Sequence, residues 1–258
     1  MLASAVSLLS DIYAHPSGAL WLAKSRTAIV ADLHLGYSWA QRRRGELGPL
    51  ADFQTREKLF ALLDELEPAQ IVFLGDLVHA PRPCAPEREW IEKLLLEVAE
   101  RASLIAVRGN HDRAFGREFG HLPLELRESW SNERVTAVHG DRLDRVAIPE
   151  QHTLILGHLH PCLGVRDAAG AGQKLSVFLV NQACLLLPAF SPFARGYDIT
   201  GGMPQDLLKC FGEQSVEVYA ATKTRVARLG PLRRAVEKIW EADVSAPSQF
   251  RRRSRPNA

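Results

Sequence analysis

The chain has 258 residues, of which 46% are hydrophobic, and its formal net charge at pH 7 is only +2. This length allows one or two domains with a substantial core, and the near-neutral charge excludes recognition of a polyanion through overall charge alone. Four widely spaced cysteines form no Cys-x-x-Cys pair, so we expect neither a disulfide framework nor a cysteine zinc knuckle. Because the sequence has no signal-peptide pattern and no apolar run long enough to cross a bilayer, we expect a cytoplasmic protein without membrane contacts.

The N-terminal part of the chain predicts the start of a sheet. The apolar runs Ser7–Tyr13 and Ala19–Ala23 flank a turn sequence and predict a β-hairpin. Thr27–Ala31 is short and largely apolar, which predicts a buried strand. The polar stretch Leu35–Asp52, with its glycines and Pro49, predicts a loop with room for a short helix.

Strands and helices then alternate. Apolar residues at helical spacing predict a crossover helix over Phe53–Leu66 and a second amphipathic helix over Glu87–Arg101, after the proline-containing loop Ala80–Pro86. Short apolar runs predict buried strands at residues 71–74 and 104–107. Residues 113–134 show no strong period, so we expect a loop region there with one short strand at most.

The second half of the chain is richer in predicted strands. They are expected at residues 135–138 and 153–156, in an antiparallel hairpin formed by 175–180 and 184–187, and at 215–220 and 225–227, before a short helix at 232–240. This order predicts an α/β fold with two sheets in one domain over residues 1–245. Residues 246–258 are rich in arginine and predict a basic, disordered tail.

Five of the predicted strands are followed by residue types that bind metals. The five blocks are Asp32-Leu33-His34, Gly75-Asp76 with His79, Gly109-Asn110-His111-Asp112, His139-Gly140-Asp141 and Gly157-His158-Leu159-His160. Open α/β sheets bind ligands at the carboxyl ends of their strands, so we expect these side chains to converge at one edge. In extended backbone, residues two apart face the same side, as expected for Asp32 with His34 and for His158 with His160.

The candidate ligands are oxygen and nitrogen donors, which favour manganese, iron or zinc over a thiolate-seeking metal. They are Asp32, His34, Asp76, Asn110, His139, His158 and His160. Seven ligands are enough for two ions, and the carboxylate of Asp76 can bridge them. Paired ions roughly 3.5 to 4 Å apart stabilise displacement at phosphorus and supply a metal-bound hydroxide as the nucleophile. The sequence therefore predicts phosphoester hydrolysis.

Further candidates surround these ligands. His111 adjoins a ligand but cannot easily face the same way, so we expect it to act as the general acid, with Asp112 orienting its imidazole. Candidate substrate contacts are His79 and the arginines Arg42, Arg43 and Arg44, for which a solvated loop face is the alternative. Three more arginines flank ligand blocks and can contact a substrate phosphate or pair with nearby acids: Arg108, Arg113 and Arg145.

The five blocks, in this order over residues 32–160, resemble those of the calcineurin-like metallophosphoesterase superfamily. The resemblance implies a four-layer α/β/β/α sandwich with a two-metal site and His111 as general acid. It assigns Asp32, His34, Asp76 and His160 to one ion, and Asp76, Asn110, His139 and His158 to the other. One position departs from the pattern, since many members have a second acid where this chain has His79.

Within that superfamily the chain is most similar to the bacterial ligase-associated DNA damage response endonucleases. The similarity lies in Ala31–Gly36, Arg42–Gly45, Gly75–His79 and Leu187–Phe193. It implies two divalent ions, with Mn²⁺ preferred over Fe or Zn, a DNA substrate, and a DNA-repair ligase or helicase as partner. Two alternatives stay open: a phosphodiesterase for cyclic nucleotides or other small diesters, and a non-catalytic scaffold with the same fold.

Overall fold

The computed structural model describes residues 4–46, 50–166, 172–194 and 196–245. The predicted basic tail at 246–258 lies outside them. Within the described ranges the chain forms two sheets and six α-helices. In this part of the chain, none of the helices is both long and apolar enough to span a membrane.

The first sheet contains seven strands in chain order. They are β1 (Val6–Leu9), β2 (Ile12–Ala14), β3 (Leu20–Leu22), β4 (Thr27–Val30), β5 (Gln70–Leu74), β6 (Ser103–Val107) and β7 (Leu124–Arg127). The first four strands pair antiparallel, and β4 to β7 pair parallel. The predicted crossover helices are confirmed as α2 (Ala51–Leu66) and α3 (Ala85–Ala99), and the first loop contains the short helix α1 (Tyr37–Arg43). Parallel pairing places the carboxyl ends of β4, β5 and β6 at one edge.

The second sheet is mixed. Seven of its strands lie side by side in the order β14 (Tyr197–Asp198), β11 (Pro161–Arg166), β12 (Gly172–Val180), β13 (Cys184–Leu186), β10 (Thr153–Leu156), β9 (Val135–Val138) and β8 (Trp130–Ser131). Two further strands, β15 (Glu217–Ala221) and β16 (Val226–Pro231), extend the sheet from β12. The predicted antiparallel hairpin is confirmed as β12 and β13. Because β9 and β10 are parallel, the blocks that follow them also lie at a common edge.

Three buried apolar clusters separate four layers. The first lies between α2, α3 and the outer face of the first sheet, and includes Leu59 and Phe73. The second fills the space between the sheets, where Val72 and Ile155 are fully buried. The third joins the second sheet to α5 (Gln205–Phe211) and α6 (Leu232–Ser245), and includes Phe211. The structure thus confirms the predicted α/β/β/α sandwich.

Two local predictions are wrong. Ser7–Tyr13 is not one strand, because the chain reverses at Asp11, whose φ of 66° suits a tight turn and whose carboxylate accepts the N–H of Lys24. Residues 113–134 contain helix α4 (Phe115–Phe119) and strands β7 and β8 rather than mainly loop. These elements are too short to produce a detectable period, although β7 does alternate between half-buried and exposed residues at the sheet edge.

Candidate metal centre and active site

The predicted ligands converge at the common edge of the two sheets, but not through extended backbone. Asp32, His34, Asp76, His158 and His160 all have positive φ, between 48° and 68°. A non-glycine residue in this region costs about 1–3 kcal/mol, and such strain clusters at functional sites. The expectation that residues two apart face alike from an extended strand is therefore wrong, although the side chains do meet. Left-handed turns bring them together.

Glycines make this crowding possible. A Cβ atom at Gly75 would collide with the imidazole of His139, and one at Gly109 would collide with the backbone nitrogen and carboxylate of Asp76. A larger residue at either position would push the ligand side chain out of place. The Gly-Asp and Gly-Asn pairs in the sequence therefore reflect close packing beneath the ligands.

The first ligand group consists of Asp32, His34 and His160, which each offer one ligand atom within 4.8 Å of the others. The Oδ1 atom of Asp32 lies 3.0 Å from Nε2 of His160. Both Oδ1 of Asp32 and Nδ1 of His34 are buried without a hydrogen bond. Because a buried polar atom without a hydrogen bond is costly, these two orphaned atoms fit the ligand shell of a cation.

The second ligand group consists of Asp76, His139 and His158, again within 4.8 Å of one another, together with the amide of Asn110. Nε2 of His139 lies 3.1 Å from Nδ1 of His158, 3.2 Å from Oδ1 of Asn110 and 3.5 Å from Oδ2 of Asp76. Nδ1 of His139 donates to the carbonyl oxygen of Leu74 at 3.2 Å, which leaves Nε2 as the donor atom that faces the cluster. Four donor atoms thus converge as a divalent ion requires.

Charge interactions link the two groups through Asp76. Burial disfavours the charged form of His139, but its hydrogen bond to Asp76 and the charge of Asp32 outweigh burial and raise its pKa to about 9. Burial lowers the pKa of His34 to about 4, against the opposing charges of Asp32 and Asp76. For Asp76 itself, burial is outweighed by His139 and the pKa is lowered. The charge of Asp76 thus acts on a histidine of each group.

His111 lies beside the ligands with its ring at the cleft. Its backbone N–H donates to Oδ1 of Asp76 at 2.8 Å, and its Nδ1 donates to the carbonyl oxygen of His79 at 2.7 Å. Nε2 lies 3.9 Å from Oδ2 of Asp76, and 35% of the side chain is exposed. The free ring nitrogen is therefore placed where a reacting group can reach it.

The predicted contact between Asp112 and the imidazole of His111 is wrong. The carboxylate of Asp112 instead accepts the backbone N–H groups of Gly109 at 3.0 Å, Val78 at 3.2 Å and Leu77 at 3.3 Å. Burial and the charge of Asp76 raise its pKa to about 6, against these hydrogen bonds. Asp112 ties together the loops after β5 and β6, and the His79 carbonyl orients the imidazole.

A cleft of about 700 Å³, called the first cleft below, opens over the first ligand group. Its walls include His34, Tyr37, Arg43, Arg44, His79, His111 and His160. His79 therefore lies where the sequence predicted, and burial, reinforced by the positive charges of His111, Arg44 and Arg43, lowers its pKa to about 4.

The three predicted arginines have different surroundings. Arg42 lies over the ring of Trp39, with 5.5 Å between its guanidinium carbon and the ring centroid, and is not part of the cleft wall. Arg43 forms an ion pair with the fully buried carboxylate of Glu87. Arg44 lines the cleft and forms no ion pair with any described residue.

Three functional positions were missed by sequence reasoning. Tyr37 contacts His79, with 5.0 Å between ring centroids. Asp52 accepts the backbone N–H groups of Gly36 at 2.8 Å and Ser38 at 3.0 Å, and with Glu87 it holds α1 over the cleft. Both acids occupy the first turns of helices, where a sequence predicts a solvated surface, so the sequence carries no signal for their buried role.

The chain is similar to known proteins in sequence and in fold. The model of the calcineurin-like phosphoesterase family matches residues 25–165. Among solved structures, the chain is similar to the Pseudomonas putida nuclease MPE, with 23% identity and a TM-score of 0.65 over 86% of this chain and 98% of that one, which shows a shared fold. It is also similar to Yfce, a phosphoesterase from E. coli, with 15% identity and a TM-score of 0.40 over 79% and 98% of the two chains.

No curated protein was found to match the sequence. The family model covers more than half of the 258 residues, including all five ligand blocks. The chain therefore belongs to the calcineurin-like phosphoesterase family.

Proposed function

We propose that the protein is a phosphodiesterase that depends on two divalent ions and cleaves nucleic acid, with DNA as the expected substrate and Mn²⁺ as the expected metal. The observation that carries this proposal is the pair of adjacent ligand groups, one with orphaned buried donor atoms and the other with four convergent donors. An open cleft lined by the imidazole of His111 adjoins the first group.

Different residues have different roles in the proposed reaction. When bound, paired ions activate water and neutralise the negative charge that develops on a phosphate in the transition state. Asp32, His34 and His160 would hold one ion, Asn110, His139 and His158 the other, and Asp76 would lie between them. Nδ1 of His111 is engaged with the His79 carbonyl, so Nε2 is the atom that would hand a proton to the leaving oxygen.

A nucleic-acid substrate is supported by the arginines at the first cleft and by the shared fold with a protein described as a nuclease. An exposed guanidinium beside the ligands, as at Arg44, suits a phosphate of the strand. Participation in DNA repair, with a ligase or helicase as partner, is proposed from the sequence resemblance.

The proposal is tested by incubating the purified protein with Mn²⁺ and single-stranded DNA, duplex DNA, RNA, cyclic nucleotides and bis(p-nitrophenyl) phosphate, with and without chelator. We expect chelator-sensitive hydrolysis of the model diester and of DNA. Hydrolysis of cyclic nucleotides without cleavage of DNA would favour a small-molecule phosphodiesterase. The absence of metal-dependent turnover on every substrate would favour a non-catalytic scaffold.

A further inference from the structure

A second cleft borders the metal centre at its second ligand group. Its volume is about 50 Å³, and its walls include the ligand His139 and Gly109, the residue before the ligand Asn110. Four arginines and two acids also line it: Arg108, Arg113, Arg142, Arg145, Glu128 and Asp141. The first cleft reaches histidines of the first group, so the two clefts meet the metal centre at different ligand groups.

The arginines of this second cleft are only partly neutralised. Arg108 pairs with Glu128 at 2.9 Å, and Arg142 pairs with Asp141 at 3.5 Å. Arg113 and Arg145 are exposed and form no ion pair with any residue that the structure describes. Two like charges that line one cleft repel each other, so their common placement favours an anionic ligand.

The local chain geometry holds these two arginines beside the ligands. Arg113 directly follows the Gly109–Asp112 block, whose Asp112 is anchored by three backbone N–H groups. Arg145 ends a single 3₁₀ turn, Leu143–Arg145, just after the His139–Asp141 block. Both arginines therefore lie on segments that begin at the metal ligands, and both line a cleft whose wall includes the ligand His139.

We propose that Arg113 and Arg145 form a subsite for a non-scissile phosphate of a nucleic-acid strand, whose scissile phosphate lies at the two ligand groups. This inference rests on the proposed function. Guanidiniums bind phosphate oxygens through paired, charge-assisted hydrogen bonds. A strand carries a phosphate at every nucleotide and can fill this subsite and the first cleft together. A cyclic nucleotide has a single phosphate and cannot. The subsite therefore selects a polymer.

The test compares substrates that differ in their number of phosphates. Wild-type protein, the double variant Arg113→Gln/Arg145→Gln and the control Arg228→Gln are assayed with Mn²⁺ on a dinucleoside monophosphate and on a single-stranded oligonucleotide. Arg228 is an exposed arginine on β16 that pairs with Glu217. We expect kcat/KM of the double variant on the oligonucleotide to fall about tenfold or more. On the dinucleoside monophosphate, the fall in kcat/KM should be several times smaller. The control should behave as wild type.

Binding provides a readout that needs no turnover. Fluorescence anisotropy with a labelled oligonucleotide in chelator, at several salt concentrations, gives the slope of log Kd against log salt. We expect removal of the two arginines to reduce this slope by about 0.7 for each phosphate that the protein no longer neutralises, and a double Arg→Lys variant to retain most of it. An unchanged slope, or equal losses of kcat/KM on both substrates, would overturn the subsite. Failure of the proposed function would appear differently, as no cleavage of the oligonucleotide by the wild type.

Discussion

The two ligand groups of the metal centre are stabilised in different ways. In the first group, Asp32 and His34 are buried and each has an atom without a hydrogen bond. In the second, His139 is fixed by the Leu74 carbonyl and its other nitrogen has three polar neighbours, while His158 is exposed. The second group is therefore supported by several contacts within the protein, whereas the first contains buried donor atoms that have no hydrogen bond. We expect the first group to depend more strongly on bound metal.

The largest effect on metal content and activity is expected for a substitution of Asp76, the residue predicted to bridge the two groups. Asp76→Asn should remove both ions together and reduce diester hydrolysis by more than about 100-fold, beyond the 10–100-fold typical of residues that merely support a ligand. The charge of Asp76 acts on His34 and on His139, so both groups lose a partner. Metal content per protein measured by mass spectrometry, together with turnover, tests this expectation. If one ion stays at full occupancy, Asp76 does not bridge.

The next effect separates metal binding from proton transfer. His111→Ala should keep both ions and reduce DNA cleavage by about 100-fold or more, the usual scale for a general acid. Hydrolysis of bis(p-nitrophenyl) phosphate should fall much less, because p-nitrophenolate leaves readily without a proton. His121→Ala is the matched control, since His121 is an exposed histidine that contacts Glu92. Equal losses on both substrates, or loss of metal, would contradict the assigned role.

A third prediction compares the stability of the two groups directly. Mn²⁺ should raise the Tm of the wild type, because a ligand that binds only the folded state stabilises it. In Asp32→Asn this rise should shrink by several degrees, because the variant loses a ligand of the first group and binds the ion more weakly.

His158→Ala provides the comparison for this third prediction. Because His158 is exposed, water solvates it when no ion is bound, and its removal should leave the Tm in chelator close to that of the wild type. The rise in Tm with Mn²⁺ should therefore shrink more in Asp32→Asn than in His158→Ala. An equal or larger loss of this rise in His158→Ala would contradict the difference between the groups.

The smallest effect concerns two neighbouring arginines at the first cleft. Arg44→Ala should raise KM for DNA several-fold, because Arg44 lines the cleft without an ion-pair partner among the described residues. Arg42→Ala should change KM little, since Arg42 lies against Trp39. Steady-state kinetics on one oligonucleotide measures both. The same KM for the two variants would contradict a specific contact between Arg44 and the DNA substrate.

The ligands could be predicted from the sequence because each follows an apolar run, and parallel pairing brings the ends of such runs to one edge. The same pattern carried no information on how they meet there. The left-handed backbone at Asp32 and His34, and the glycines packed against His139 and Asp76, depend on contacts between strands distant in sequence.

The supporting residues were harder to predict than the ligands. Asp112 was expected to contact its neighbour His111, but burial directs its carboxylate to three backbone N–H groups from two loops. Glu87 lies in the first turn of α3 and has no sequence feature that reports its ion pair with Arg43 on α1. Such roles are set by tertiary packing, which a period of apolar residues along one element does not describe.

The most direct test of the metal centre is a crystal structure of the protein grown with Mn²⁺, with data collected to locate the metal by anomalous scattering. Two anomalous peaks are predicted, one among Asp32, His34 and His160 and the other among Asn110, His139 and His158, with Asp76 in contact with both. A single peak, or peaks that leave either group without metal, would contradict the two-ion centre.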